Sequence, residues 1–83
     1  MNKSLFELEI ISSEKSEKFS IFWVEIESPT GNFIIGPDHL DLISIIKSRS
    51  KLKYKDQDKS IQEMDIYDGV IEISNSKAIV LLG

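Results

Sequence analysis

One histidine stands in the whole chain, and it lies between two carboxylates in Asp38-His39-x-Asp41. Imidazole and carboxylate oxygens ligate zinc, and a His–Asp pair can move a proton. Three such groups within four residues are too few and too local to close a metal site, and no cysteine or second histidine could complete one. The alternative is a turn in which Asp38 bonds to nearby backbone groups. Nucleophilic catalysis needs a nucleophile, a base and an orienting group held together. A single histidine does not define that geometry, and the serines occupy no elbow motif. Gly31-x-x-x-x-Gly36-Pro37-Asp38 has the outline of a phosphate loop. It lacks the Lys-Ser/Thr ending and a following helix. No constellation supports an enzyme, so no metal or cofactor is expected.

Basic residues give a second candidate. Lys47, Arg49, Lys51, Lys53 and Lys55 alternate with other residues. On one strand the odd positions share a face, so all five would form a positive stripe. On a small β-barrel such a stripe could bind single-stranded nucleic acid. Tyr54 would point the opposite way, away from any stacked base, and the net charge of -4 opposes non-specific binding. The plainer reading is a solvated face whose charges blunt a strand edge. No nucleic-acid partner is expected on balance. Trp23, on the polar side of its strand, is either an interface anchor or covered by a second sheet.

The elements that must position these residues have a period of two. In "LFELEII", Phe6, Leu8 and Ile10 oppose Glu7 and Glu9, which reads as a half-buried strand. "FSIFWVEIE" repeats the pattern, with Phe22, Val24 and Ile26 against Trp23, Glu25 and Glu27. "SSEKSEK" between them reads as a connection. "SPTG" is a turn: Pro29 presets its φ and Gly31 permits a positive one. Phe33 to Ile35 is a short strand that Gly36-Pro37 breaks. Leu40 to Ile46 reads as a strand buried on both faces, or as a buried helical turn. Leu52 and Tyr54 share one face of the next strand, and "KDQDK" is a polar hairpin loop. Met64 and Ile66 share a face in the run that follows. Asp68-Gly69 marks a turn or bulge. Asn75-Ser76 is a tight hairpin between "VIEIS" and "KAIVLL".

The expected fold is therefore all-β, a small sandwich or flattened barrel of about 8–10 short, mostly antiparallel strands. With 83 residues the chain is one domain, read as 1–83, with no linker or repeat. An apolar share of 41% excludes a disordered tail. The absence of cysteine excludes disulfides and permits a reducing compartment. The start, "MNKSLFELEII", has acids inside its apolar run, unlike a secretory leader. No apolar run approaches the ~20 residues of a membrane helix.

Several segments together resemble a known family. The run Gly31-Asn32-Phe33-Ile34-Ile35-Gly36-Pro37-Asp38-His39-Leu40-Asp41-Leu42 is similar to a loop and strand whose typical form is Gly-Glu-Ile-Gly-Ile-Leu-Pro-Gly-His-Ala-Pro-Leu. "FELEIIS" looks like the opening strand of that family, "KLKYK" like a middle strand and "DGVIEISNSKAIVLL" like its closing hairpin. The family is the N-terminal β-sandwich domain of the epsilon subunit of F-type ATP synthases, called delta in mitochondria. The likeness runs from about Leu5 to Leu82. Gly36 replaces a usual apolar residue, Asp38 a glycine and Asp41 a proline, and Asp68 replaces the first glycine of the Gly-Gly-x-x-Glu-Val form typical of the closing hairpin.

The resemblance implies a non-catalytic rotor subunit that links the gamma subunit to the membrane rotor ring and couples proton transport to ATP synthesis. It places Gly31 and Asn32 toward the ring, with Asn32 where the family usually has a glutamate. It places Ser12, His39 and Ser44 toward gamma, and it has His39 begin a strand that enters the core. Membrane contact would come only through the complex, at the cytoplasmic face of an inner or plasma membrane or the equivalent organelle side. Family members usually continue into a C-terminal pair of helices that can inhibit rotation. The chain stops at Gly83, so the expectation is a sandwich without that inhibitory arm. The alternatives are a stand-alone interaction module, or the nucleic-acid barrel described above.

Overall fold

The computed structural model describes residues 5–83, so the first four residues of the stretch read as unlike a leader lie outside it. Eight strands follow in chain order: β1 Phe6–Ile11, β2 Ser16–Ser28, β3 Gly31–Ile35, β4 Leu42–Ile46, β5 Ser50–Asp56, β6 Ile61–Ile66, β7 Gly69–Ser74 and β8 Lys77–Leu82. No helix occurs among the described residues. The strands hydrogen-bond in the order β4-β7-β8-β1-β2-β5-β6, with β3 also on β2. All neighbours are antiparallel except β1 and β8, which pair in parallel.

The long strand β2 organises the fold. Val24 and Glu25 pair with β3 on one side and β5 on the other, while Ser16 to Ile21 pair with β1. β1 and β3 therefore lie end to end along one edge of β2, and β5 takes the opposite edge. The register shifts between Ile21 and Trp23, which leaves Phe22 as the extra residue of a bulge. This corrects the expected phase. Ile21, not Phe22, joins Val24 and Ile26 in the core. The polar connection is also shorter than expected, because Ser16, Glu17 and Lys18 already belong to β2.

Every strand contributes to one core. Phe6, Leu8 and Ile10 of β1 meet Ile26, Ile35, Leu52, Ile66, Ile71, Ile73 and Val80 from the other strands. The alternation expected in β1, β5 and β6 is present: Leu52 and Tyr54 are buried together, and Met64 packs beside buried Ile66. The Phe19 and Tyr54 rings lie 5.1 Å apart, a tilted aromatic pair that extends the core along β2 and β5.

The reading of Leu40 to Ile46 needs correction. It forms a strand, not a helical turn, but β4 begins at Leu42. Leu40 is exposed, and Ile43 and Ile45 are 73% and 64% exposed. Only Ile46 is fully buried. In a mostly apolar run Ser44 alone marks the phase weakly, and β4 ends the strand path, where one face lies open.

The turns follow the expected chemistry. Gly31 has φ 149°, a conformation costly for other residues. Ser28 Oγ donates to Gly31 O at 2.8 Å and accepts from Thr30 N–H at 3.2 Å. Asn75 and Ser76 both have positive φ, 53° and 58°, the geometry of a two-residue hairpin that matches strand twist. At Gly69 the backbone passes so close to Ile66 Cγ2 and Leu81 O that a Cβ would sit 3.3 Å from each.

Candidate functional site

The Asp38–Asp41 cluster is a turn. His39 N–H donates to Gly36 O at 3.2 Å, and the ring Nδ1 lies 2.7 Å from Leu40 O. Asp38 and Asp41 are exposed. No group of three or more potential ligands gathers among the described residues. His39 precedes β4 and does not begin it, because the bend after Gly36-Pro37 continues through Asp41.

The basic stripe is only partly formed. Lys47 and Arg49 lie before β5, in a turn where Arg49 has φ 58° and Ser50 Oγ donates to Lys47 O at 2.6 Å. Lys51, Lys53 and Lys55 remain on the strand. Lys51 Nζ reaches Asp65 at 2.9 Å and Lys53 Nζ reaches Glu63 at 3.6 Å, both across to β6. Lys55 Nζ lies 6.0 Å from the centre of the Phe22 ring. Acids thus alternate with the bases over this face, and a phosphate backbone would have to displace them. The hydrogen bond to Asp65 holds Lys51 above the usual lysine value. Half-buried Trp23 pairs in register with Lys55.

The remaining expected site residues lie on three separate parts of the molecule. Gly31 and Asn32 are exposed at the tip of the β2–β3 hairpin. Ser12 closes the β1–β2 turn: its N–H donates to Lys15 O at 2.9 Å, and its Oγ accepts from Lys15 N–H at 3.3 Å. Ser44 is half-buried on β4 and stands opposite Ile71, on the face that turns toward the core. Its hydroxyl donates to Ile45 O at 3.1 Å. Ser12 follows the Ile11 end of β1, whereas His39 precedes Leu42, whose row runs through Ile73, Ala78 and Leu8. The two therefore lie beyond opposite ends of the β4-β7-β8-β1 face.

Between them lies a surface that sequence reasoning missed. Register places Ile45, Val70, Leu81 and Ile11 side by side across β4, β7, β8 and β1, on the outward face. The next row is Ile43, Glu72, Ile79 and Glu9. Leu81 is 47% exposed. Lys77 closes one end of the face by bridging Glu7 and Glu9, each at 3.2 Å. Hydrogen bonds from Ser16, at 2.7 Å, and from Lys77 hold Glu9 below the usual carboxylate value. An open depression lies at the β4 end, between Asp41 to Ile43 and Glu72 to Ser74. The "AIVLL" and "DLISII" runs were the available signal, since each holds more apolar residues than one inward face accepts.

This arrangement can dock a protein surface. It offers a rigid sheet, an exposed apolar row and acidic neighbours, without a gathered catalytic group among the described residues. The class is a β-sandwich domain. The chain matches the family model for the "ATP synthase, Delta/Epsilon chain, beta-sandwich domain" over residues 5–82, and it belongs to that family. No match was found among curated proteins. Among solved structures it is similar to a chain of the Tetrahymena thermophila mitochondrial ATP synthase central stalk and c-ring assembly. That likeness has a TM-score of 0.79 at 11% identity, covering 99% of this chain and 66% of the other. It is also similar to a chain of the Euglena gracilis mitochondrial ATP synthase, in an assembly of OSCP, F1 and c-ring. There the TM-score is 0.85 at 8% identity, covering 99% of this chain and 52% of the other. At such identity the likeness establishes the fold. No helix among the described residues is long and apolar enough to cross a membrane.

Proposed function

We propose that the chain is a non-catalytic element of the central stalk of an F-type ATP synthase, joining the gamma subunit to the membrane rotor ring. The family match over residues 5–82 carries this reading. Two solved structures with the same fold are chains of mitochondrial ATP synthases, one of them from a central stalk and c-ring assembly, which supports it. In this role the domain transmits torque, so it must be stiff and must hold two neighbours at once. One core shared by all eight strands supplies the stiffness.

The gamma-facing surface in this proposal includes Ser12, His39 and Ser44, with the apolar row Ile45, Val70, Leu81 and Ile11 lying between its ends. Because Ser44 turns inward, its neighbours Ile43 and Ile45 make the outward contact. Gly31 and Asn32, at the exposed tip of the β2–β3 hairpin, face the ring. The subunit then meets the membrane only through the complex, on the side where the catalytic head lies. A stable interface of this kind buries about 1,200–2,000 Å² in total.

The test is co-expression with the gamma subunit of the same source, followed by size-exclusion chromatography. One-to-one co-elution is expected, and Leu81→Glu should abolish it while the variant stays folded. Separate elution at low salt would count against the rotor role.

A further inference from the structure

Three carboxylates lie on the outer face of β4, β7, β8 and β1: Glu7 and Glu9 on β1, and Glu72 on β7. The first two are neutralised within the chain. Lys77 bridges them, each at 3.2 Å, and Glu9 also accepts from Ser16 Oγ at 2.7 Å and stands opposite Lys18. Glu72 is placed differently, between Ile43 of β4 and Ile79 of β8. Among the described residues it forms no ion pair. Lys77, two residues from Ile79 on β8, is already held by Glu7 and Glu9.

Glu72 is half-buried and shares its strand face with Val70, which belongs to the apolar row Ile45, Val70, Leu81 and Ile11. Positions two residues apart on a strand are separated by about 7 Å. A partner that covers Val70 and Leu81 therefore also takes the Glu72 carboxylate out of water. Dehydrating an unpaired carboxylate opposes docking, and a cation brought by the partner offsets that cost. The face has room for one. The open depression beside Glu72 lies between the start of β4 and the end of β7, from Asp41 to Ser74. Ile43 gives it an apolar wall, against which the methylene stem of a Lys or Arg can lie. Exposed Asp41 sets a second carboxylate at its rim. Between two acceptors a planar guanidinium fits better than an ammonium.

We propose that the gamma subunit presents an arginine or lysine that enters this depression and pairs with Glu72, while its apolar side chains cover the row beside it. The proposal rests on the rotor reading and adds the chemistry of the contact: one partner cation, about 7 Å from an apolar stripe. Titration of the fluorescently labelled chain with the gamma subunit of the same source tests it. Glu72→Gln should raise the dissociation constant roughly ten-fold, because it leaves the gamma cation buried and unpaired. Glu72→Lys should raise it further, roughly a hundred-fold or more, by setting like charges together. Glu63→Gln, on the β5-β6 ladder, should leave it unchanged. Replacing the basic residues of gamma one at a time by glutamate should find one that restores binding to the Glu72→Lys chain. The isolated Glu72→Gln chain should melt like the parent, since the fold loses no ion pair with it. A parent that binds gamma as tightly as its Glu72→Gln and Glu72→Lys variants do would overturn the charge pair and leave the rotor reading standing. A Glu72→Gln chain that melts lower on its own would assign the carboxylate to the fold and would also overturn it. A parent that does not bind gamma at all would overturn the rotor reading, and the charge pair with it.

Discussion

The outer surfaces of β5-β6 and of β4-β7-β8-β1 are built over the same core, yet they solve the problem of facing water in opposite ways. On β5-β6, Lys51 and Lys53 meet Asp65 and Glu63 across the ladder. Those groups remain hydrated and the edge strand repels other sheets. On the second surface, Ile45, Val70, Leu81 and Ile11 lie in one row with no charge between them. Exposed apolar area costs about 25 cal/mol per Å² relative to its burial. The difference teaches that inward alternation specifies the sandwich, whereas the outward residues set which side stays hydrated and which leaves apolar area open.

The comparison breaks first if the two surfaces do not share one core. Ile71 lies beneath the apolar row and Leu52 beneath the charge ladder, and both are fully buried. Ile71→Ala and Leu52→Ala should each destabilise the fold by about 2–5 kcal/mol in chemical denaturation. A cost below about 1 kcal/mol at one site would mean that half of the sandwich is loosely packed.

A smaller effect is expected at the hairpin that projects from neither surface. Gly31→Ala forces a side chain into φ 149° and should cost about 1–3 kcal/mol. Unchanged stability would show that the tip is not held in this conformation. Smaller still are the stability effects on the outer faces themselves. Leu81→Glu and Lys53→Glu should each leave the melting transition close to the parent, within about 0.5 kcal/mol. Only Leu81→Glu should lose the gamma partner.

The least effect concerns pH. Glu9, bonded by Ser16 and Lys77, sits below its ordinary value. So does Asp56, which accepts from Gln62 Nε2 and from the N–H groups of Ser60 and Asp58. A depressed carboxylate stabilises the fold fully above its unfolded value and loses that contribution as pH falls through the lower folded value. Stability should therefore decline below about pH 4.5, near the ordinary glutamate value. Glu9→Gln and Asp56→Asn should flatten the decline. Lys51 and Lys77 lie above the ordinary lysine value. Their contribution is complete below that value and lost as pH rises past the folded one. Melting curves at stepped pH check both limbs.

Much of the fold was legible because one face of most strands is apolar and the other polar. β1, β5 and the Asn75-Ser76 hairpin follow directly from that contrast. The bulge at Phe22 was not legible, since "FSIFWVEIE" alternates acceptably in either phase until the register of β5 decides it. β4 failed for a related reason: among five uncharged residues Ser44 alone marks the phase weakly, and their exposure depends on which strand happens to end the sheet. The expected basic stripe assumed that Lys47 and Arg49 were extended, but a turn with positive φ at Arg49 separates them from β5. Motif likeness located the family, yet it could not show that Ser44 turns inward. The outer row is created by pairing among four strands that are distant in sequence.

The chain contains no cysteine, so single thiols can report directly on the two surfaces. Leu81→Cys and Lys53→Cys should be labelled at similar rates by a maleimide when the protein is alone. Added gamma subunit should slow labelling at position 81 at least ten-fold and leave position 53 unchanged. Equal rates at position 81 with and without a gamma subunit that co-elutes, or protection at position 53 instead, would contradict the assignment of the apolar face as the docking surface.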